Sequence, residues 1–480
     1  MPFFTLLVRI SQTGEFEANN PVIRLSNKAF PEGMRNNMQH VKVVKFGGSS
    51  LADADQFRKV ANIVLSDPER RYVVASAPGK RFPEDEKVTD LFYDCYKAIG
   101  NEEAFEQIFK KITDRYDGII EGLGLDLSLK AEYEAIRYAI KAKAGRDYAA
   151  SRGEYLNSII LAKYLGYDFI NAADVIFFDE SGKYDAVTTE ETFSQCLKYH
   201  ERAVIPGFYG SMPNDTIKTF SRGGSDVTGA IVAGVVRAEI YENWTDVSGF
   251  LVADPRIVKD PPAIQVISYR ELRELSYMGA GVLHEDSIFP VRKAHIPINI
   301  RNTNRPNDPG TFIVSDKSKY PDAEKTVVTG IAGKKGFSII NIEKDSMNNE
   351  VGFGRRVLTV LEENNISFEH LPSGIDTMSV VFPTAALENC KNDLLEEMKK
   401  EVEPDFIEMH HGYALIAVVG SGMVKAKGTA AKVFEAIHKM GVNVKMIDQG
   451  SDEMNIIIGV EDSDFESTIC GLFEAFFAKK

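Results

Sequence analysis

Val41–Ser50 reads VKVVKFGGSS, and Arg71–Gly79 reads RYVVASAPG. The β-branched runs in both stretches predict strands. Between them, DADQFRKVANIVLS places Phe57, Val60, Ile63 and Val64 at helical spacing. Strand, helix and strand within about 35 residues make a βαβ unit, which requires parallel pairing. Gly47 and Gly48 then fall at the carboxyl end of the first strand, the edge where open α/β sheets bind ligands. Glycines there admit a ligand close to the backbone N–H groups, and the helix that follows offers its positive end. Lys45 adds a mobile point charge. The Walker pattern GxxxxGK[ST] cannot be written through this loop. Taken alone, the loop reads equally well as a tight turn beside a surface lysine.

Working outward, Glu102 to about Leu165 is mainly helical in pattern, and short strands recur within 168–178, 202–211, 238–249 and 297–302. SDVTGAIVAGVVRA (225–238) and YRELRELSYMG (269–279) read as helices between them. This predicts an α/β domain over residues 40–305, closed by the turn-rich NRPNDPGT. The rest of the chain repeats itself. RVLTVLEENNISFEHLPSGIDTMSVVF (356–382) lies over KVFEAIHKMGVNVKMIDQGSDEMNIII (432–458) without a gap, at an offset of 76 residues. Two small α/β units are expected, at 325–400 and 401–480. Their half-exposed sheets favour a homodimer, with a tetramer as the larger alternative.

Composition bounds the function. At 480 residues with 44% hydrophobic content, the chain can build two to four cores. A net charge of −14 argues against nucleic-acid binding, so any anionic ligand must be met by local positive charge. The longest apolar runs fall well short of the roughly 20 residues of a membrane span. Cys95, Cys196, Cys390 and Cys470 lack metal spacing and are expected to be reduced thiols of a cytoplasmic protein, with no protein-held metal. Residues 1–39 have no clear period and no signal-peptide layout. They are expected to be a disordered extension, with the physiological start at Met34 or Met38.

Three further stretches carry chemistry. TFSRGGSDVTGAIVAGVV (219–236) repeats the strand–glycine–helix grammar: Arg222 suits bidentate carboxylate binding, and Ser225 or Asp226 can cap the helix. In SRGEYLNSIILAKYL (151–165), Glu154 sits at a helix start, either as a dipole partner or facing a ligand ammonium. NWTDVSGFLVADPR (243–256) brings Asp246, Asp254 and Arg256 into a polar turn that reads as a nucleotide loop or a capped surface loop.

In this order the four stretches closely resemble the aspartokinases, of the amino acid kinase fold, over nearly all of Val41–Lys480. The resemblance implies a three-layer sheet domain followed by two ferredoxin-like βαββαβ ACT domains that bind an amino acid, lysine first and threonine second. It implies transfer of the ATP γ-phosphoryl group, with Mg²⁺, to the β-carboxylate of L-aspartate. The product would be 4-phospho-L-aspartate, the first step toward lysine, threonine and methionine. Lys45 would neutralise the transferring phosphoryl group beside the N–H groups of Gly47 and Gly48 and the Ser49 hydroxyl. Asp226 would orient Lys45. Arg222, with Ser225, would hold the substrate α-carboxylate, Glu154 its ammonium, and Thr89 would touch it. Thr245, Asp246, Asp254 and Arg256 would contact ATP, and the GVLH segment with Gly281 and Val282 would close that pocket. Met347 and Glu369 resemble effector-pocket positions. One departure stands out: Gly281 occupies the place of a lysine usual in the family, and Glu285 that of a proline. No homoserine dehydrogenase module is expected. The rival readings are a kinase of N-acetylglutamate or glutamate, which Glu154 disfavours, and an amino-acid sensor that has lost catalysis, which only Gly281 favours.

Overall fold

The computed structural model describes residues 40–221, 223–281, 283, 288–320, 326–390 and 393–478. The expected extension at 1–39, Arg222 and Val282 lie outside them. The first domain is built on strands β1 (Lys42–Phe46), β2 (Arg70–Ala75), β3 (Asp168–Phe169), β4 (Ala203–Pro206), β5 (Tyr209–Ser211), β6 (Ile217–Thr219), β7 (Ile240–Thr245), β8 (Val266–Ser268), β9 (Ile298–Asn302) and β10 (Thr311–Val314). Eight of them form one sheet in the order β3-β4-β2-β1-β7-β9-β10-β8, and β5 and β6 pair separately. The pairs from β3 to β9 are parallel; β10 runs antiparallel to β9, with β8 parallel to β10. Sheet residues are buried on both faces, as helices on either side require. One face holds Val44, Phe46, Phe57, Phe92 and Phe109; the other holds Val43, Val74, Ile231, Val232 and Tyr241. The three-layer α/β expectation therefore holds.

The sheet does not end near residue 305. NRPNDPGT is the hairpin connection between β9 and β10, not a linker. Gly310, at φ +69°, makes the close turn possible: a Cβ there would stand 1.9 Å from the carbonyl oxygen of Ile300.

The second sheet has strands β11 (Gly330–Glu343), β12 (Thr377–Pro383), β13 (Phe406–Val419), β14 (Met446–Asp448) and β15 (Asn455–Glu461), in the order β12-β11-β13-β15-β14. The repeat is visible in the helices Phe353–Glu363 and Thr429–Lys439, 76 residues apart, each preceded by a glycine at φ +87°. The units are not consecutive, however. Gly330–Lys335 pairs with Ala414–Val419 in the second unit, while Phe337–Glu343 pairs with Phe406–Tyr413 and with β12 in the first. The register slips where Gly336 (φ +88°) and Gly412 (φ +81°) stand. The expected boundary at 400/401 falls inside the helix Leu394–Val402. The second unit borrows its edge strand from before the first, an exchange that hydrophobic periodicity does not encode.

A buried ionic joint ties the two domains. Glu271, 0% exposed on the helix Tyr269–Tyr277, accepts from Lys317 Nζ (3.0 Å), Thr329 Oγ1 (2.7 Å) and the Ser421 N–H (2.8 Å), and completes a capping box with Ser268. Burial alone would raise its pKa, but the Lys317 ammonium and these hydrogen bonds outweigh that and hold it at about 2. A carboxyl depressed from 4.5 stabilises the fold above that pH and loses the contribution as pH falls toward 2, roughly 3 kcal/mol in all. Urea-unfolding midpoints measured between pH 5 and pH 3 should accordingly fall more steeply in the wild type than in Glu271→Gln. Parallel slopes would remove the joint from the acid lability.

Candidate active site

Lys45, the last residue but one of β1, lies directly opposite Asn243 of β7 in the parallel register. It is 8% exposed, and its Nζ stands 2.7 Å from Asp226 Oδ1 and 3.4 Å from Asn243 Oδ1. Asn243 Nδ2 donates to the same Asp226 oxygen at 2.8 Å, closing a triangle across three elements. Asn243 was missed in the sequence. Its signal was two polar residues, Glu242 and Asn243, within a strand pattern otherwise apolar; both are buried.

Asp226 lies in the first turn of the helix Gly224–Val236. Neither it nor Ser225 caps that helix, contrary to expectation. The N-cap is Gly223, in the left-handed region, and it leaves the Asp226 carboxylate free for Lys45. Ser225 packs against Gly207, where a Cβ would stand 2.5 Å from its Oγ.

The two glycines after Lys45 do different work. Gly48 meets the 76–79 loop backbone to backbone: Gly79 donates its N–H to Gly48 O at 2.8 Å, and a Cβ on Gly48 would stand 2.9 Å from Ala77 O. Gly47 lies beside the Lys45 ammonium, but its N–H is already donated to Trp244 O at 3.0 Å. The Gly47 N–H is thus committed within the fold, and the N–H groups that open the short turn Gly48–Leu51 are those of Gly48 and Ser49.

Glu154 is not at a helix start. The helix runs Arg146–Leu165, so Glu154 sits in its third turn, where no dipole argument applies. The helix begins earlier than the sequence pattern implied because it is buried nearly all round, which hides a one-face period. Glu154 is 5% exposed, and its Oε2 has no hydrogen-bond partner. Desolvation pushes its pKa up to about 8, against the backbone hydrogen bond from Ala77 and the distant Arg152 charge. The Ala77 loop is the one pressed onto Gly48, so Glu154 and the glycine loop share one end of the sheet. Thr89, half-buried in the first turn of the helix Val88–Lys97, belongs to a helix packed on the one that carries Glu154.

Next to this lies a cavity of about 1070 Å³. Asp246, Asp254, Arg256 and Gly281 all line it, and Thr245 donates to Asp246 at its edge. Arg256 is paired with Asp254 at 2.6 Å, and that hydrogen bonding holds the Asp254 carboxyl below its ordinary value. The opposite wall was not foreseen: it comes from the second repeat unit, through Ile331–Lys335 and the start of the helix Phe465–Phe477.

The two effector candidates part company. Met347 is 5% exposed and belongs to the apolar core of the first unit, with Ile340, Phe353 and Val380. Glu369 accepts a hydrogen bond from the hydroxyl of Tyr277 in the first domain. Cys95 is buried and the other three cysteines half-buried, all as free thiols. Among the described residues, no helix is long and apolar enough to cross a membrane.

Comparison with known proteins agrees with this architecture. Residues 40–302 match the model of the amino acid kinase family, and residues 416–476 match an ACT domain. Aspartokinase 3 of Bacillus subtilis is 36% identical over 456 residues, covering 91% of this chain and 99% of the relative. Among solved structures, the aspartate kinase of Clostridium acetobutylicum is 52% identical with a TM-score of 0.84, covering 91% of this chain and 99% of that one. E. coli aspartokinase III, solved with aspartate and ADP, has the same fold at 24% identity and a TM-score of 0.69, covering 91% of this chain and all of the other. The chain belongs to the amino acid kinase family and, within it, to the aspartokinases.

Proposed function

We propose that this aspartokinase transfers the γ-phosphoryl group of ATP to the β-carboxylate of L-aspartate through the residues just described, and that an end-product amino acid bound to its ACT units restrains it. The observation that carries the substrate reading is Glu154. A buried carboxylate with an unpartnered oxygen is costly unless a cation arrives. The α-ammonium of aspartate is such a cation, whereas an acylated amine is not. Arg222 would hold the α-carboxylate, with Ser225 and Thr89 beside it.

The nucleophile needs no general base, since a β-carboxylate is already ionised at neutral pH. The difficulty is bringing two anions together. Lys45, held by Asp226 and Asn243, would supply positive charge at the point of transfer, with the N–H groups of Gly48 and Ser49 following in the same loop. ATP would lie in the large cavity against Thr245, Asp246, Asp254, Arg256 and Gly281, with Val282 closing it. No cluster of three or more His, Cys, Asp or Glu side chains among the described residues could cage a metal. Mg²⁺ would therefore arrive on the nucleotide's own phosphates and share the neutralisation of their charge.

As effector, lysine comes first and threonine second. E. coli aspartokinase III has been solved with lysine and aspartate in a T-state. Glu369 offers a carboxylate to an ammonium, while Met347 would act only through the apolar core of the first unit. Assembly through the ACT sheets into a homodimer or tetramer, a cytoplasmic location, and a place at the start of lysine, threonine and methionine synthesis complete the reading.

The first test is ATP turnover with L-aspartate, trapping the acyl phosphate as its hydroxamate, with and without lysine or threonine. Turnover that falls with one of them supports the reading and names the effector. Intact ATP binding without turnover would replace it with a sensor.

Lys45→Met should lower kcat by about a hundredfold to a thousandfold, the scale of one lost charge-stabilising donor. A change below tenfold would put the transfer elsewhere. The raised Glu154 pKa gives a pH signature. Below about pH 8 the empty site holds a proton that must leave before an ammonium can pair with the carboxylate. The KM for aspartate should therefore fall about tenfold per pH unit from pH 6 to 8 and level off above. Glu154→Gln should raise KM and abolish the slope. A flat wild-type profile would exclude Glu154 as the ammonium partner.

A further inference from the structure

The large cavity belongs to two domains at once, and its charges are unevenly shared. Its first-domain wall carries the carboxylates of Asp246 and Asp254, and Arg256 is spent on Asp254. On the regulatory wall, Lys335 is spent on Glu466 at 2.7 Å. Among the described residues, Lys334 and Arg305 are the lining cations with no carboxylate partner.

Lys334 is the one facing the bare part of the opposite wall. Its stem packs on Gly279, where a Cβ would stand 3.3 Å from its Cγ and 3.6 Å from its Cε. Its Nζ rests 5.0 Å from the ring centroid of Tyr277, a cation–π seat on the last residue of the helix Tyr269–Tyr277. Gly279 (φ +102°) and Gly281 leave residues 279–281 with no side chain beyond the Ala280 methyl, and no other described atom lies within 4 Å of a Cβ built on Gly281.

We propose that Lys334, delivered by the regulatory strand β11, binds the phosphates of the nucleotide, so that the ATP site is completed by the second ACT unit. The proposal rests on the reading of this cavity as the ATP pocket. A polyphosphate needs local cations on a chain of net charge −14. The first domain presents glycine at Gly281, and β11 brings a cation to the same stretch, against Gly279, from the other side. β11 continues without interruption into the first unit as Phe337–Glu343, and Tyr277, under the Lys334 ammonium, donates its hydroxyl to Glu369 of that unit. A displacement of the first unit thus reaches Lys334 by two routes, and with it the affinity for ATP.

The test uses the full chain. ADP affinity by titration calorimetry and KM for ATP are measured for Lys334→Met, for Lys334→Met with Gly281→Lys, and for Asp246→Ala. Lys334→Met should weaken ADP and raise KM for ATP about tenfold or more, the size of one charge-assisted hydrogen bond. The KM for aspartate and kcat at saturating ATP should move less than about twofold by the same reasoning. Gly281→Lys, restoring a cation from the opposite wall, should recover most of the loss. Unchanged ADP affinity in Lys334→Met alongside a loss in Asp246→Ala would overturn the role of Lys334 and leave the pocket reading standing. Unchanged affinity in both would overturn the pocket reading itself. A loss that Gly281→Lys does not recover, accompanied by a lower unfolding midpoint, would make Lys334 a domain-interface residue and overturn the proposal.

Discussion

The ion pair between Lys45 and Asp226 sets the geometry of everything around it. Both side chains are mostly withdrawn from water, and neither would be tolerated there alone. Each is held by a different element: Lys45 by β1 near its end, Asp226 by the first turn of a helix that starts at a left-handed glycine, and Asn243 by β7, the strand paired with β1. The pair therefore fixes how β1, β7 and that helix meet. It also stores a cation at the sheet's carboxyl edge in a position that a phosphoryl group can use.

An acidic chain that handles two anionic substrates must place its charges individually. Glu154 is a carboxylate buried with one oxygen unpartnered, and the cost of that burial appears as a raised pKa. Around the large cavity, Arg256 and Lys335 are consumed by neighbouring carboxylates. The same economy holds at the domain joint, where Glu271 is surrounded by donors from the linker, β11's approach and the loop at Ser421.

Much of this was legible in the sequence, and the reasons for the failures are physical. The βαβ start, the glycine loops and the internal repeat follow from periodicity and turn chemistry, and the structure keeps them. Glu154 was noticed but misplaced, because a helix buried nearly all round has no amphipathic face to mark where it begins. The cap at Ser225 or Asp226 was misread because a glycine took the cap and freed the aspartate for an ion pair. Asn243 could have been found from its polarity within a buried strand. Lys334 could not, since nothing local says that a lysine in a regulatory strand faces another domain's loop.

The exchange of edge strands belongs to that last kind. An offset of 76 residues reports that two units share a pattern, but not which strand closes which sheet. Pairing β11 with β13 along 14 residues makes one strand serve both units, and the register slips where Gly336 and Gly412 stand. Glycine is needed there because both positions take positive φ. Before the slip Ile331 packs in the second unit's core, and after it Ile340 and Ile342 pack in the first's, while Ala332, Phe337 and Ile339 share the core that extends into the first domain. Two units joined this way cannot move independently, since a strand transmits displacement along its axis far better than a loop does. The half of β11 that closes the second unit also lines the large cavity. Whatever reorients the first unit must therefore reorient a wall of that cavity. In this fold, a strand shared by two units also forms one wall of the cavity that the first domain lines.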